Sequence, residues 1–197
     1  MEITRESFKK RFTNIENENK TIRKNITDSG KKYELLKILI EQNRIAMVQE
    51  YLAKSLPDKE KIEYALYASK LVLKCFKEYY PDNNTLKTTV EYIEEYINNP
   101  KKEIINKIKK MIPKIEKIQS NAEDDYDKDD IEMNSPVYAA RTVKNTASIV
   151  YKYSEKEENL SKYIDNISTE AEFGSENQQT KEKVLKYELE LLKKSEL

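Results

Sequence analysis

Apolar residues recur three and four positions apart along most of the chain, and this spacing predicts α-helices rather than strands. The clearest stripe consists of Ile62, Leu66, Ser69, Leu73, Phe76 and Tyr80. Further small or apolar residues widen it around most of the helix: Ala65, Ala68, Val72, Cys75 and Tyr79. A helix that is apolar on so many sides must be surrounded by other elements. We therefore predict a central helix that begins at residues 55–58, with Pro57 in its first turn, and stops before Pro81.

Two more helices follow the corner at residues 80–84. The first has a single stripe, made of Leu86, Val90, Ile93 and Ile97. The second opens at Pro100 and carries Ile104, Ile105, Ile108, Met111, Ile112, Ile115 and Ile118. Pro113 lies inside this second pattern and cannot bond the carbonyl of Lys109, so we expect a kink that costs roughly 3 kcal/mol.

Small residues mark a second central helix, which restarts at residues 135–136. Its inner stripe is Ala140, Val143, Ala147 and Val150, with Ala139, Thr142 and Thr146 beside it. Such residues permit close approach of two backbones. A further short helix is predicted around Leu160, Tyr163, Ile164 and Ile167. Residues 168–178 are polar around Gly174 and predict a break before a last helix with Val184, Leu185, Leu189 and Leu192.

The N-terminal part has a thinner pattern. Residues 1–29 carry one narrow stripe, Phe8, Phe12, Ile15, Ile22 and Ile26, and we interpret them as an amphipathic docking helix. Two short helices are predicted around Leu36–Ile40 and Val48–Leu52. The chain is thus predicted to be all-α, with a single helical domain over residues 30–197. We expect an irregular bundle of eight or nine helices; repeat-like stacking of helix pairs is the alternative.

Charge and composition restrict the partners. Lysine plus arginine and aspartate plus glutamate balance at 36 each, so no global field favours nucleic acid or an anionic membrane. No apolar run approaches the roughly 20 residues of a membrane span. The first residues lack the apolar core of a signal peptide, and we expect a cytoplasmic protein. Association of two or more copies of the chain is compatible with this composition.

The chain lacks the residues on which most enzymes depend. It has no histidine, which removes the commonest general base and the usual catalytic triads. Its two glycines, Gly30 and Gly174, cannot form a phosphate-binding loop or a dinucleotide fingerprint. The single cysteine, Cys75, falls on the inner stripe of the central helix, without a basic neighbour there to favour a thiolate. We predict no catalytic activity, no cofactor and no metal site.

An acidic loop over residues 119–135 is the most distinctive polar feature. Asp125, Asp127 and Asp129 imitate the start of a calcium loop, but Asp130 stands where glycine is needed and Pro136 where a bidentate glutamate is needed. The loop is either a solvated tether or an anionic dock for a basic partner, with Tyr126 as an apolar anchor. The candidate partner-binding residues are Glu123, Asp124, Asp125, Tyr126, Asp127, Asp129, Asp130 and Glu132.

The segment before this loop is basic, with lysines on the polar face of the isoleucine-rich helix: Lys101, Lys102, Lys107, Lys109, Lys110, Lys114 and Lys117. Arginine and interleaved aromatic residues are missing here, so direct binding of nucleic acid is not expected.

The stretch from residue 33 to residue 153 resembles a family of immunity proteins of bacterial polymorphic toxin systems. The residues that carry the likeness are Ala68, Val72, Leu73, Phe76, Tyr80, Pro81, Asp82, Tyr92, Tyr96, Ala139, Ala140, Ala147 and Tyr151. The corner Tyr80-Pro81-Asp82 is its most distinctive part. The family is usually rich in Ala and Arg with Trp and His, whereas this chain has Lys, Ile and Tyr instead. The N-terminal 30 residues and the acidic loop look like additions.

The resemblance implies a helical protein that neutralises a cognate toxin by stoichiometric binding, and the acidic loop would suit a basic toxin or nuclease. A phage or mobile-element inhibitor of a host defence nuclease, such as an anti-CRISPR protein, is the alternative. It would also act by stoichiometric binding and charge complementarity, on another target. A helical scaffold or regulatory protein that binds peptides in a groove is a third hypothesis.

Overall fold

Seven α-helices make up most of the part of the chain that the structure describes. In this computed structural model that part comprises residues 32–41, 55–124, 135–156, 167–177 and 179–195, with the single positions 17, 20, 21, 24, 48, 51, 160, 163 and 164. The helices are α1 (Lys32–Glu41), α2 (Asp58–Tyr79), α3 (Thr85–Asn98), α4 (Lys102–Asp124), α5 (Ser135–Ser154), α6 (Ile167–Gly174) and α7 (Thr180–Ser195). They pack as a bundle, and no strand occurs among the described residues.

Helices α2 and α5 form the centre of the bundle, as their apolar patterns predict. They run antiparallel, because Ser69 lies beside Thr146 whereas Cys75, farther along α2, lies beside Ser135 at the start of α5. Small residues on the inner stripes of the two helices are completely buried: Ala65, Ala68, Ser69, Val72, Thr142, Val143, Thr146 and Ala147. Cys75 is buried and unpaired, and burial raises the pKa of its thiol, which agrees with the predicted role of a small core residue.

The hydroxyl of Thr146 is the main polar contact between these two helices. Its Oγ1 lies 3.0 Å from the carbonyl oxygen of Ala65 on α2 and 2.9 Å from that of Thr142 on its own helix. Because Thr146 has a single proton and gives it to a carbonyl, Ser69 is the donor in the 2.8 Å contact between the two hydroxyls. Every hydroxyl in this interface is thereby satisfied without water, as close packing requires.

The corner between α2 and α3 follows the prediction. Helix α2 ends at Tyr79, and Tyr80 leaves the helical region with φ −126° and ψ 69° before Pro81. Pro57 lies immediately before α2, at the capping position rather than in the first turn. The amide of Thr85 donates to the Asn83 side-chain oxygen at 2.9 Å, which starts α3.

Helix α4 is longer than its periodicity predicts. It continues from Lys102 to Asp124 with Pro113 on its exposed side, where water can reach the carbonyl that the proline cannot bond. The predicted loop over residues 119–135 is therefore wrong at its start, because residues 119–124 are helical, whereas α5 begins at Ser135 as predicted. Ala122, which is 5% exposed, extends the buried face of α4 by one turn and explains the extra length.

The predicted polar break over residues 168–178 is also wrong, because α6 occupies Ile167–Gly174. Its buried face consists of Ile167 and three small residues, Ser168, Ala171 and Gly174. The backbones of α6 and α5 approach so closely that a Cβ on Gly174 would lie 2.7 Å from the amide nitrogen of Ala139. Of the helix predicted around Leu160, Tyr163, Ile164 and Ile167, only these four residues are described: the amide of Tyr163 donates to the Leu160 carbonyl at 3.1 Å, and Ile167 begins α6.

Helix α7 packs on α2, and α1 packs on α7, where the hydroxyl of Tyr33 donates to the carbonyl of Leu192 at 3.4 Å. The docking helix predicted for residues 1–29 lies outside the described residues, apart from positions 17, 20, 21 and 24, which are helical and exposed. Seven helices are described. The eighth and ninth helices stay a prediction. None of the described helices is long and apolar enough to cross a membrane.

We expect Thr146→Val to lower the free energy of unfolding by about 1–3 kcal/mol, because it leaves the buried Ser69 hydroxyl without its acceptor. The double variant with Ser69→Ala should be less destabilised than the sum of the two single variants, as urea denaturation would measure. Thr142→Val is the matched control, since its hydroxyl bonds only the Tyr138 carbonyl of its own helix, at 2.9 Å. Additive losses would rule out a coupled contact.

We expect Gly174→Ala to destabilise the protein by about 1–3 kcal/mol, because the added methyl group meets backbone atoms that cannot rotate away. Thr169→Ala, at a half-buried position of the same helix, should leave the midpoint of urea denaturation almost unchanged. An unchanged midpoint for Gly174→Ala would contradict the close packing of α6 on α5.

Candidate functional site

Three polar contacts between α4 and α5 define the two ends of the bundle. Lys109 pairs with Tyr151, Gln119 with Lys144, and Glu123 with Arg141, so the two helices run antiparallel. We call the end that contains the C-terminus of α4 and the N-terminus of α5 the acidic end. The opposite end, with the N-terminus of α4 and the C-terminus of α5, is the basic end.

The predicted partner-binding residues begin at the acidic end. Glu123 and Asp124 are the last residues of α4 and are helical, not part of a loop as predicted. Asp125, Tyr126, Asp127, Asp129, Asp130 and Glu132 lie outside the described residues, so their role stays a prediction. The chain between α4 and α5 therefore starts and finishes at this end of the bundle.

The carboxylate of Glu123 is held in place by its neighbours. Its Oε1 accepts hydrogen bonds from Gln119 Nε2 and from Arg141 Nη2, both at 2.9 Å. The bond from Gln119, and then that from Arg141, lowers the pKa of Glu123, so this acid stays ionised at neutral pH. Glu123 thus fixes the position at which the acidic chain leaves the bundle.

Next to this point lies a group of aromatic side chains, which we call the aromatic patch: the exposed Tyr79 and Phe173 and the half-buried Tyr138. Phe173 is 48% exposed and its ring centroid lies 5.0 Å from that of Tyr138. Arg141, which bonds Glu123, stands over the Tyr138 ring at 5.5 Å. Tyr79 is 42% exposed and donates to Glu176, just past the end of α6, at 2.5 Å.

The aromatic patch is the part of the site that sequence reasoning missed. Phe173 falls in the stretch whose polar residues predict a break, and the spacing of Tyr79 places it on the buried stripe of α2. The signal that could have found them is the spacing of Ser168, Ala171 and Gly174, since a small-residue face for α6 leaves Phe173 outside. Large exposed aromatic side chains beside fixed charges are typical of protein-binding surfaces.

A second polar group is buried where α2, α6 and α7 meet. Tyr64, Ser168 and Glu188 come from the three helices, and each is at most 1% exposed. Ser168 lies beside the Tyr64 hydroxyl, yet no side-chain oxygen of the three has a hydrogen-bond partner among the described residues. Such atoms cost free energy when buried.

Burial raises the pKa of Glu188 well above its ordinary value, and the positive charge of Lys61 only partly opposes this effect. Lys61 is itself bound to Asp58, with Nζ 2.8 Å from the carboxylate oxygen. Tyr64 also has a raised pKa, first because of burial and then because of the charge of Glu188. Glu188 is therefore neutral over part of the pH range in which other glutamates are charged.

Within the described ranges, no three acidic or cysteine side chains come together in a group that could hold a metal ion. Comparison of the chain with protein-family models, with curated proteins and with solved structures gives no match. The proposal for its function therefore rests on the residues themselves.

We expect Glu188→Gln to make the protein more stable at about pH 8 than the original chain, with the difference shrinking toward about pH 4. A raised pKa in the folded state means that the folded protein holds the proton longer than the unfolded chain. The stability that this proton provides is complete below the ordinary pKa of 4.5 and is lost as the pH rises through the raised value. The free energy of unfolding of the original chain therefore falls, relative to that of the variant, by at most about 1.4 kcal/mol per pH unit.

Urea denaturation at several pH values measures this difference. Glu170, whose pKa burial also raises, is present in both proteins and cancels. A constant difference between the two proteins over the whole pH range would show that Glu188 is not titrating in the folded state.

Proposed function

We propose that this chain is a non-enzymatic, cytoplasmic inhibitor that neutralises a protein toxin by stoichiometric binding, in the manner of an immunity protein. The observation that carries the proposal is the position of the aromatic patch beside Glu123, where the acidic chain leaves the bundle. The residues that follow supply a dense negative charge, with six of the acids between Asp124 and Glu132. The aromatic patch and the points where the acidic chain leaves and rejoins the bundle are thus both at the acidic end.

These two parts have different physical tasks. The exposed Phe173 ring, which packs on the half-buried Tyr138, offers apolar area that a partner can bury. Aromatic anchors of this kind contribute most of the affinity of protein interfaces. The acids attract a basic partner over distance and raise the association rate, an effect that falls with added salt. Together they suit a basic toxin or a nuclease, whose own surface must attract nucleic acid.

An inhibitor of a host defence nuclease encoded by a phage or mobile element would use the same end of the bundle. The identity of the captured protein distinguishes the two proposals. A scaffold that binds peptides would instead need a long groove, and none of the residues of the aromatic patch lines one of the two grooves described on the bundle.

We expect Phe173→Ala to weaken binding of the partner by about tenfold or more, since truncation of a central aromatic anchor costs about 2 kcal/mol. The partner is first captured from the native cell by the tagged full-length chain, and the dissociation constant of the purified pair is then measured calorimetrically. Ile38→Ala on α1, at a site 46% exposed and far from the acidic end, is the matched control and should bind normally.

Replacement of Asp125, Asp127, Asp129 and Asp130 by asparagine should slow association and flatten its dependence on salt, with little effect on dissociation. The proposal fails if Phe173→Ala binds as well as Ile38→Ala and the asparagine variant keeps the original salt dependence. In that case the partner binds elsewhere on the bundle.

A further inference from the structure

The basic end carries a groove that the proposed function does not use. It has a volume of about 420 Å³ and lies between the end of α3, the start of α4 and the end of α5. Its charged and aromatic lining consists of Tyr96, Lys101, Lys102, Lys109, Tyr151 and Glu155. Three lysines against one glutamate leave the groove with a net positive charge.

The lysines of the groove are available to a ligand to different degrees. Lys109 donates to the Tyr151 hydroxyl at 2.9 Å and lies 4.7 Å from the centre of the same ring, a contact that raises its pKa and fixes its charge over the groove. Lys101 and Lys102 are exposed and form no ion pair with a described residue. Glu103, beside them in sequence, points to Lys107, with 4.0 Å between the charged atoms.

The lysines determine the charge of the groove, and its tyrosines supply apolar contact. The groove contains the positive dipole end of α4 but also the negative C-terminal ends of α3 and α5, so the helix dipoles add no net attraction for an anion. Tyr96 and Tyr151 add flat apolar walls beside the charges, suited to a chain with an aromatic residue. An extended acidic peptide fits this combination better than a lone small anion, because the lysines are spread along the groove.

We propose that this groove binds the acidic segment, residues 125–132, of a second copy of the chain. That segment has five acidic residues and one lysine, with Tyr126 among them, and so complements the lysines and tyrosines of the groove. The formal net charge of the chain is zero, so no overall repulsion opposes the association of two copies. This inference does not depend on the proposed inhibitor function.

The acidic segment cannot reach the groove of its own chain. The groove begins at Lys109 and extends to Lys102, roughly 22 to 33 Å from Asp124 along α4 at 1.5 Å per residue. The ten residues between α4 and α5 are tied to the acidic end at both sides, so even fully extended they reach only about 20 Å from it. The contact therefore has to form between two molecules.

Such a contact joins unlike surfaces. Each copy offers one acidic segment and one groove at opposite ends, so association is head-to-tail and can continue to longer chains of molecules. Its strength should depend on salt, because it is made mainly by charges in water.

Sedimentation velocity of the full-length protein at several concentrations and salt levels tests this inference. We expect concentration-dependent association at low ionic strength that disappears at about 0.5 M salt. Lys101→Glu with Lys102→Glu should abolish it, and so should Asp127→Lys with Asp129→Lys. The control Lys114→Glu with Lys117→Glu makes the same charge change on exposed positions of α4 outside the groove and should associate as the original chain does.

The decisive step mixes the two variants that no longer associate. The groove variant keeps its acidic segment and the segment variant keeps its groove, so the mixture should form a complex of one copy of each and nothing larger. Misfolding cannot produce this gain of assembly. The inference is overturned if the original chain stays monomeric at low salt, if the control loses association, or if the mixture stays monomeric. It is also overturned if inorganic phosphate alone displaces the segment at low millimolar concentration, since the groove would then be a small-anion site.

Discussion

The close contact between α2 and α5 is the constraint on which the rest of the bundle depends. Two backbones can approach only where side chains are small, and the shared face consists of alanine, serine, threonine and valine. Hydroxyl groups in that space need partners, and Ser69 and Thr146 provide them to each other and to the Ala65 carbonyl. Helices α3, α4 and α7 then bury their wider apolar stripes around this central pair, while α6 packs on α5 mainly through small residues.

The sequence allowed the central pair to be predicted because periodicity records which side of a helix is buried. Ala140, Val143 and Ala147 specify one face of α5 whatever packs on it. Helix α6 was missed because its buried face has Ser168 and Gly174, residues that count as polar or as helix breakers in isolation. Their burial follows from the nearness of α5, a tertiary fact that no local pattern contains.

The candidate site was predictable in its charge but not in its shape. The acids after residue 122 are evident in the sequence, whereas the neighbourhood of Tyr138 and Phe173 depends on how α5 and α6 cross. Glu188 is an intermediate case. It stands three positions after Leu185 and four after Val184, so the stripe of α7 already placed a carboxyl group in the interior. Its lack of partners becomes visible only when α2 and α6 are added.

A consequence follows from the contact that fixes the start of α5. Ser135 donates to the Gly174 carbonyl at 3.1 Å, so its oxygen accepts the proton of the Cys75 thiol, 3.0 Å away. The thiol is shielded as long as the first turn of α5 stays on α2, and burial keeps its pKa raised. The single cysteine of the chain is therefore a natural reporter: its rate of alkylation records how often the first turn of α5 opens. A ligand at the acidic end that tightens this turn would slow the reaction, and one that loosens it would accelerate the reaction.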